Sequence, residues 1–94
     1  MASKQTDFAG RTVERTAAPA DRPRYALDVA DAGPPKPLTE TLETLADLDE
    51  ETVLVQRNDR APQHLYPTLT DRGYEFETVT DDDAVFTAVW RPDG

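Results

Sequence analysis

The chain carries no thiol, because its 94 residues include no cysteine. Disulfides, thiolate metal sites and sulfur nucleophiles are therefore all excluded. Few other side chains have chemical reach. His64 is the lone histidine, and a metal centre needs three or four convergent ligands, so it reads as a half-exposed helix residue. Asn58, Asp59 and Arg60 form the best polar cluster, directly after an apolar run. At the C-terminal end of a strand, such a cluster lies where open α/β sheets bind ligands. Asn-Asp ahead of Pro62 is also a helix-capping arrangement, which is the plainer reading. Asp81-Asp82-Asp83 lacks the ligand spacing of a calcium loop and reads as a solvated turn. Pro34-Pro35-Lys36-Pro37 stands at the start of a leucine-rich helix. Helix starts bind anions or dock partners, although prolines here can equally just stiffen the loop and begin the helix. The candidate binding residues are Pro34, Lys36, Asn58, Asp59, Arg60 and His64. No catalytic residue, metal or cofactor is assigned.

Alternating and helical patterns give the elements that must position these residues. Arg24 to Val29 alternates, with Tyr25, Leu27 and Val29 on one face, and predicts a first strand. A proline loop follows, and Pro37 can open a helix carrying Leu38, Leu42, Leu45 and Leu48. Thr52 to Arg57 is apolar without alternation, as in a central strand. Pro62 opens a second helix with Leu65, Tyr66 and Leu69, which Gly73 ends. Pro67 should kink that helix or leave its first turn separate. Tyr74 to Thr80 and Ala84 to Arg91 form an antiparallel hairpin, the latter with Phe86, Ala88 and Trp90 inward. The five aromatics Tyr25, Tyr74, Phe76, Phe86 and Trp90 are expected to pack under the two helices.

The order β-α-β-α-β-β predicts an α+β fold, a two-layer α/β sandwich. Its four-stranded sheet is mixed, with both helices on one face. Residues 24–92 make this domain. Residues 1–23 hold only Phe8 and Val13 as sizeable apolar side chains beyond Met1, and predict a disordered polar arm.

Nineteen acidic and 10 basic residues give a net charge of −9, and the basic residues are arginine except Lys4 and Lys36. Such acidity disfavours nucleic acid, whose phosphates need clustered basic residues. It matches a surface kept hydrated in molar salt and predicts an extreme halophile, a haloarchaeal protein. No segment has the length of a membrane span or the apolar core of a signal peptide, which predicts a cytoplasmic protein.

Leu27-Asp28 followed by Pro34-Pro35-Lys36-Pro37 resembles the TusA-like (SirA-like) sulfur carriers. In that family a Cys-Pro-x-Pro motif opens the first helix. Pro35 and Pro37 match it, and Pro34 stands where the cysteine would be. A nearer resemblance is to the uncharacterised family called domain of unknown function 2249. It rests on Leu27-Asp28-Val29, the proline segment, Glu50 to Val55, Asn58 to Pro62 and Val89-Trp90-Arg91. Where that family often has His and Asp before the proline, this chain has Arg60 and Ala61. The resemblance implies the carrier's scaffold, and the absent cysteine excludes thiol-based sulfur transfer. The expectation is a non-catalytic protein-interaction or regulatory domain. One alternative is an accessory or small-ligand-binding protein in sulfur or nitrogen redox metabolism. The other is an RNA-binding module, which the charge opposes.

Overall fold

The computed structural model describes residues 7–30, 36–81 and 84–92. Helix α1 (Asp7–Arg15) comes first. Strand β1 (Arg24–Asp28), helix α2 (Lys36–Asp47) and strand β2 (Val53–Asn58) follow. Helix α3 (Leu65–Asp71) leads to strands β3 (Glu75–Asp81) and β4 (Ala84–Trp90). The sheet order is β1-β2-β4-β3. The β1–β2 pair is parallel, as a helical crossover requires, and β4 runs antiparallel to both its neighbours. The β-α-β-α-β-β sandwich and its mixed sheet are those the sequence pattern predicts. Among the described residues no helix is long and apolar enough to cross a membrane.

Alternation along each strand divides the core in two. On one face Leu27, Val29, Leu54 and Val89 pack with Leu45 of α2 and with Leu65 and Leu69 of α3. On the other face Val53, Val55, Ala88 and Trp90 pack with Ala9, Val13 and Ala18. Strand β2 is covered on both sides, so Val53, Leu54, Val55 and Gln56 have no exposed surface.

The second cluster corrects the reading of the N-terminal arm. Residues 7–15 form a helix laid across the sheet face opposite α2 and α3. Ala9, Thr12 and Val13 are buried and Phe8 half-buried, while Arg11, Glu14 and Arg15 point outward. Its buried face is built from small side chains, which let a helix sit close to a sheet without the large apolar residues that mark a helix in a sequence. The Phe8 ring lies 5.4 Å from that of Phe86. Arg11 and Arg15 reach Asp81 at 3.4 and 3.5 Å, and the Ala17 N–H donates to Glu77 Oε1 at 2.8 Å. Phe86 and Trp90 consequently pack beneath α1, not beneath α2 and α3 as expected. Tyr25 is 42% exposed, so it is not a covered sheet residue either.

Gly73 ends α3 at φ +85°, a left-handed conformation that favours glycine. Its N–H bonds the Thr70 carbonyl, and the Tyr74 N–H bonds the Leu69 carbonyl. That pair of bonds is the Schellman termination, with Leu69 and Tyr74 in the same apolar cluster.

Candidate functional site

Helices α2 and α3 both start at the sheet end where β1 and β2 finish. In open α/β sheets ligands bind beyond the carboxyl ends of the strands, which is the end these helix starts occupy. Lys36, the first residue of α2, is exposed there. Asn58 closes β2 and is 5% exposed, while Asp59, Arg60 and His64 on the following loop are exposed. Arg60 Nε lies 3.5 Å from Asp59 Oδ1, an exposed pair of little energetic weight. Pro34 lies outside the described residues, as do Asp82 and Asp83.

Asn58 does not cap α3. Its Oδ1 accepts from the Asp59 N–H at 2.8 Å, and its Nδ2 donates to Gln56 Oε1 at 3.3 Å. The helix begins seven residues later, at Leu65, behind a separate turn held by Gln63 N–H to Ala61 O and Leu65 N–H to Pro62 O. Pro67 explains the offset. It has no N–H to donate and clashes with a carbonyl four residues upstream, so it is tolerated only in a first turn. The helix therefore starts at Leu65, and His64 precedes it without capping it by its side chain.

Beneath α2 and α3 runs a row of polar side chains that the sequence reading did not pick out. The strand register places Gln56 beside Thr87 and Thr87 beside Thr78. Gln56 Nε2 donates to Thr41 Oγ1 at 2.8 Å, and both residues have no exposed surface. The hydroxyls of Thr78 and Thr87 are hydrogen-bonded at 2.9 Å, and those of Tyr66 and Thr78 at 2.6 Å, with either oxygen able to donate. The Tyr66 ring stacks on Phe76 with centroids 4.8 Å apart. Two signals were available. Thr41 sits on the buried stripe between Leu38 and Leu45, and Gln56 interrupts an apolar strand.

The network holds hydroxyls and amides, with no carboxylate or imidazole to take a proton. Every buried side-chain polar atom among the described residues has a partner. The row thus orients α2 and α3 on the sheet, and it offers no activated nucleophile. No group of three His, Cys, Asp or Glu among the described residues is placed to hold a metal. At the opposite sheet end an open groove of about 230 Å³ lies between the end of α2 and Tyr74. There the Arg91 guanidinium covers the Tyr74 ring at 4.8 Å, which occupies the groove's most obvious cation-binding face.

No curated protein matches this chain. Among solved structures it is similar to a SirA-like protein from Desulfitobacterium hafniense. The TM-score is 0.62 at 22% identity, over 69% of this chain and 93% of that one. At that identity the likeness speaks for the fold. The family model described as "Uncharacterized conserved protein (DUF2249)" matches residues 26–91, from β1 through β4. The chain belongs to this DUF2249 family, in a SirA-like fold extended by α1.

Proposed function

We propose that this is a non-catalytic interaction or regulatory domain, a thiol-less relative of sulfur carriers. Its binding edge runs from the start of α2 to the Asn58–His64 loop. The observation that carries this reading is how the polar side chains divide at that end of the sheet. The buried ones are spent inside the fold, Thr41 and Asn58 on Gln56 and Thr87 on Thr78, while Lys36, Asp59, Arg60 and His64 are exposed, with the Asp59–Arg60 ion pair as the one side-chain contact seen for them among the described residues. Exposed side chains on a rigid frame suit recognition, whereas chemistry requires a positioned acid, base or nucleophile. Helices cover both sheet faces, which leaves no open aromatic platform of the kind that stacks RNA bases.

The test is affinity capture from salt-matched lysate with the parent chain and an Arg60→Glu/His64→Ala variant. A partner held by the parent and lost by the variant, whose fold is checked by circular dichroism, supports the proposal. Equal capture by both would move the binding edge elsewhere.

We further propose that the protein works in the cytoplasm of a haloarchaeal cell. No described carboxylate side chain is buried, so the acidity resides at the surface, where it binds water and counter-ions.

A further inference from the structure

Two strands lie at the edges of the sheet, β1 and β3, and they differ in charge. An open edge is a template for another strand unless its side chains prevent pairing. β3 carries Glu75, Glu77 and Asp81, so a second β3 laid beside it would set acid near acid. β1 reads Arg24-Tyr25-Ala26-Leu27-Asp28, with basic and acidic residues at opposite ends and apolar residues between.

We propose that β1 is a self-pairing edge, through which two copies of this chain join antiparallel about a two-fold axis at Ala26. The backbone supplies the parity. The Pro23 carbonyl accepts from Val53 N–H, and Val29 N–H donates to the Arg57 carbonyl, so the odd-numbered residues face β2. Successive residues alternate, which turns the N–H and C=O groups of Arg24, Ala26 and Asp28 outward. An antiparallel second β1 centred on Ala26 bonds through those three residues.

The side chains agree with that register. Arg24 falls opposite Asp28 of the second copy, and the symmetry makes the pair twice. Tyr25 falls opposite Leu27 of the second copy, in the non-hydrogen-bonded position where side chains approach more closely. Tyr25 is the one large apolar side chain exposed among the described residues, and this contact covers it. Arg24 now donates to the Ala20 carbonyl at 3.0 Å, and Asp28 pairs with Arg57 at 3.1 Å. Both side chains are exposed, so Asp28 has room for a second guanidinium. A five-residue edge is a small interface, and small interfaces are weak, so dissociation is expected in or above the micromolar range.

The experiment is sedimentation velocity in multi-molar KCl, from about 10 micromolar to about 1 millimolar protein, the span in which a weak interface titrates. The mass should rise from monomer toward dimer. Arg24→Asp alone and Asp28→Arg alone each set like charges opposite one another twice, and each should weaken association roughly threefold or more, because salt screens pairs in direct contact only in part. Mixing the two variants restores both opposite-charge pairs and should restore dimers. A second measurement on the unaltered chain does not depend on how the variants fold. Hydrogen exchange at the Arg24, Ala26 and Asp28 amides should slow as protein concentration rises. A monomer at every concentration overturns the proposal. So does a dimer that is indifferent to Arg24→Asp, or one that leaves those amides unprotected.

Discussion

Replacing Thr41 by valine tests whether the buried polar row holds α2 to the sheet. The two side chains have nearly the same shape, so packing changes little and the hydroxyl is lost. Gln56 Nε2, now bonded to Thr41 Oγ1 at 2.8 Å, is left without an acceptor in a place water does not reach. Stranding a buried donor costs about 1–3 kcal/mol. For a domain of this size each kcal/mol is worth about 4–8 °C in Tm, so the variant should melt roughly 5–20 °C lower. Converting Gln56 to leucine as well removes the stranded donor. The double variant should therefore be less destabilised than the two single variants added together, with a coupling of about 0.5–3 kcal/mol. Denaturant titration of all four proteins at one fixed KCl concentration gives the cycle. A Thr41→Val variant within about 0.5 kcal/mol of the parent, the range of a neutral surface change, would refute the argument. Strictly additive single effects would refute it too.

Three further outcomes follow from the fold. Val13→Asp puts a charge where α1 meets the sheet and should release α1, exposing Trp90 and shifting its fluorescence to the red. An unchanged spectrum would mean that α1 does not cover that face. Gly73→Ala should cost about 1–2 kcal/mol in denaturant titration, because a β-carbon is disfavoured at φ +85° even though nothing lies within 4 Å of it. Thermal unfolding should shift upward from low to multi-molar KCl as the net charge of −9 is screened, and equal melting in both would contradict the halophile reading.

The elements legible in the sequence were those with one large apolar face. Leu38, Leu42, Leu45 and Leu48 mark α2, and the β-branched run marks β2 with its ends shifted by one residue. What escaped were features built from small or ambiguous side chains. α1 packs through alanine, threonine and one valine, which composition counts as polar arm. Thr41 and Gln56 look like solvent residues until the register and the helix stripe put them under cover. The pattern gives Pro62 the opening role, yet α3 begins only at Leu65, because Pro67 decides where the helix can begin. The candidate site was legible as a location and not as an arrangement. Asn58 to His64 do lie at a strand's C-terminal end, but Asn58 points into the fold and the others point away from it.

Covering both faces of the sheet limits where this domain can touch anything else. The sheet face opposite α2 and α3 is occupied by α1, with Val13 2% exposed and Ala9 5%. α1 lies outside the span matched by the family model, which begins at residue 26. What remains open of the sheet itself are its two strand edges and the loops at its ends. Acidic side chains defend the β3 edge, and α1 also reaches over to it through Arg11 and Arg15. β1 has neither defence. Its charges are of opposite sign and arranged to match themselves when reversed, and its exposed tyrosine lies between them. In a chain this acidic, a charge-balanced edge is the place where a second acidic chain can approach without repulsion. The same balance would let the start of α2, close to the end of β1, be presented twice on one face of a paired assembly.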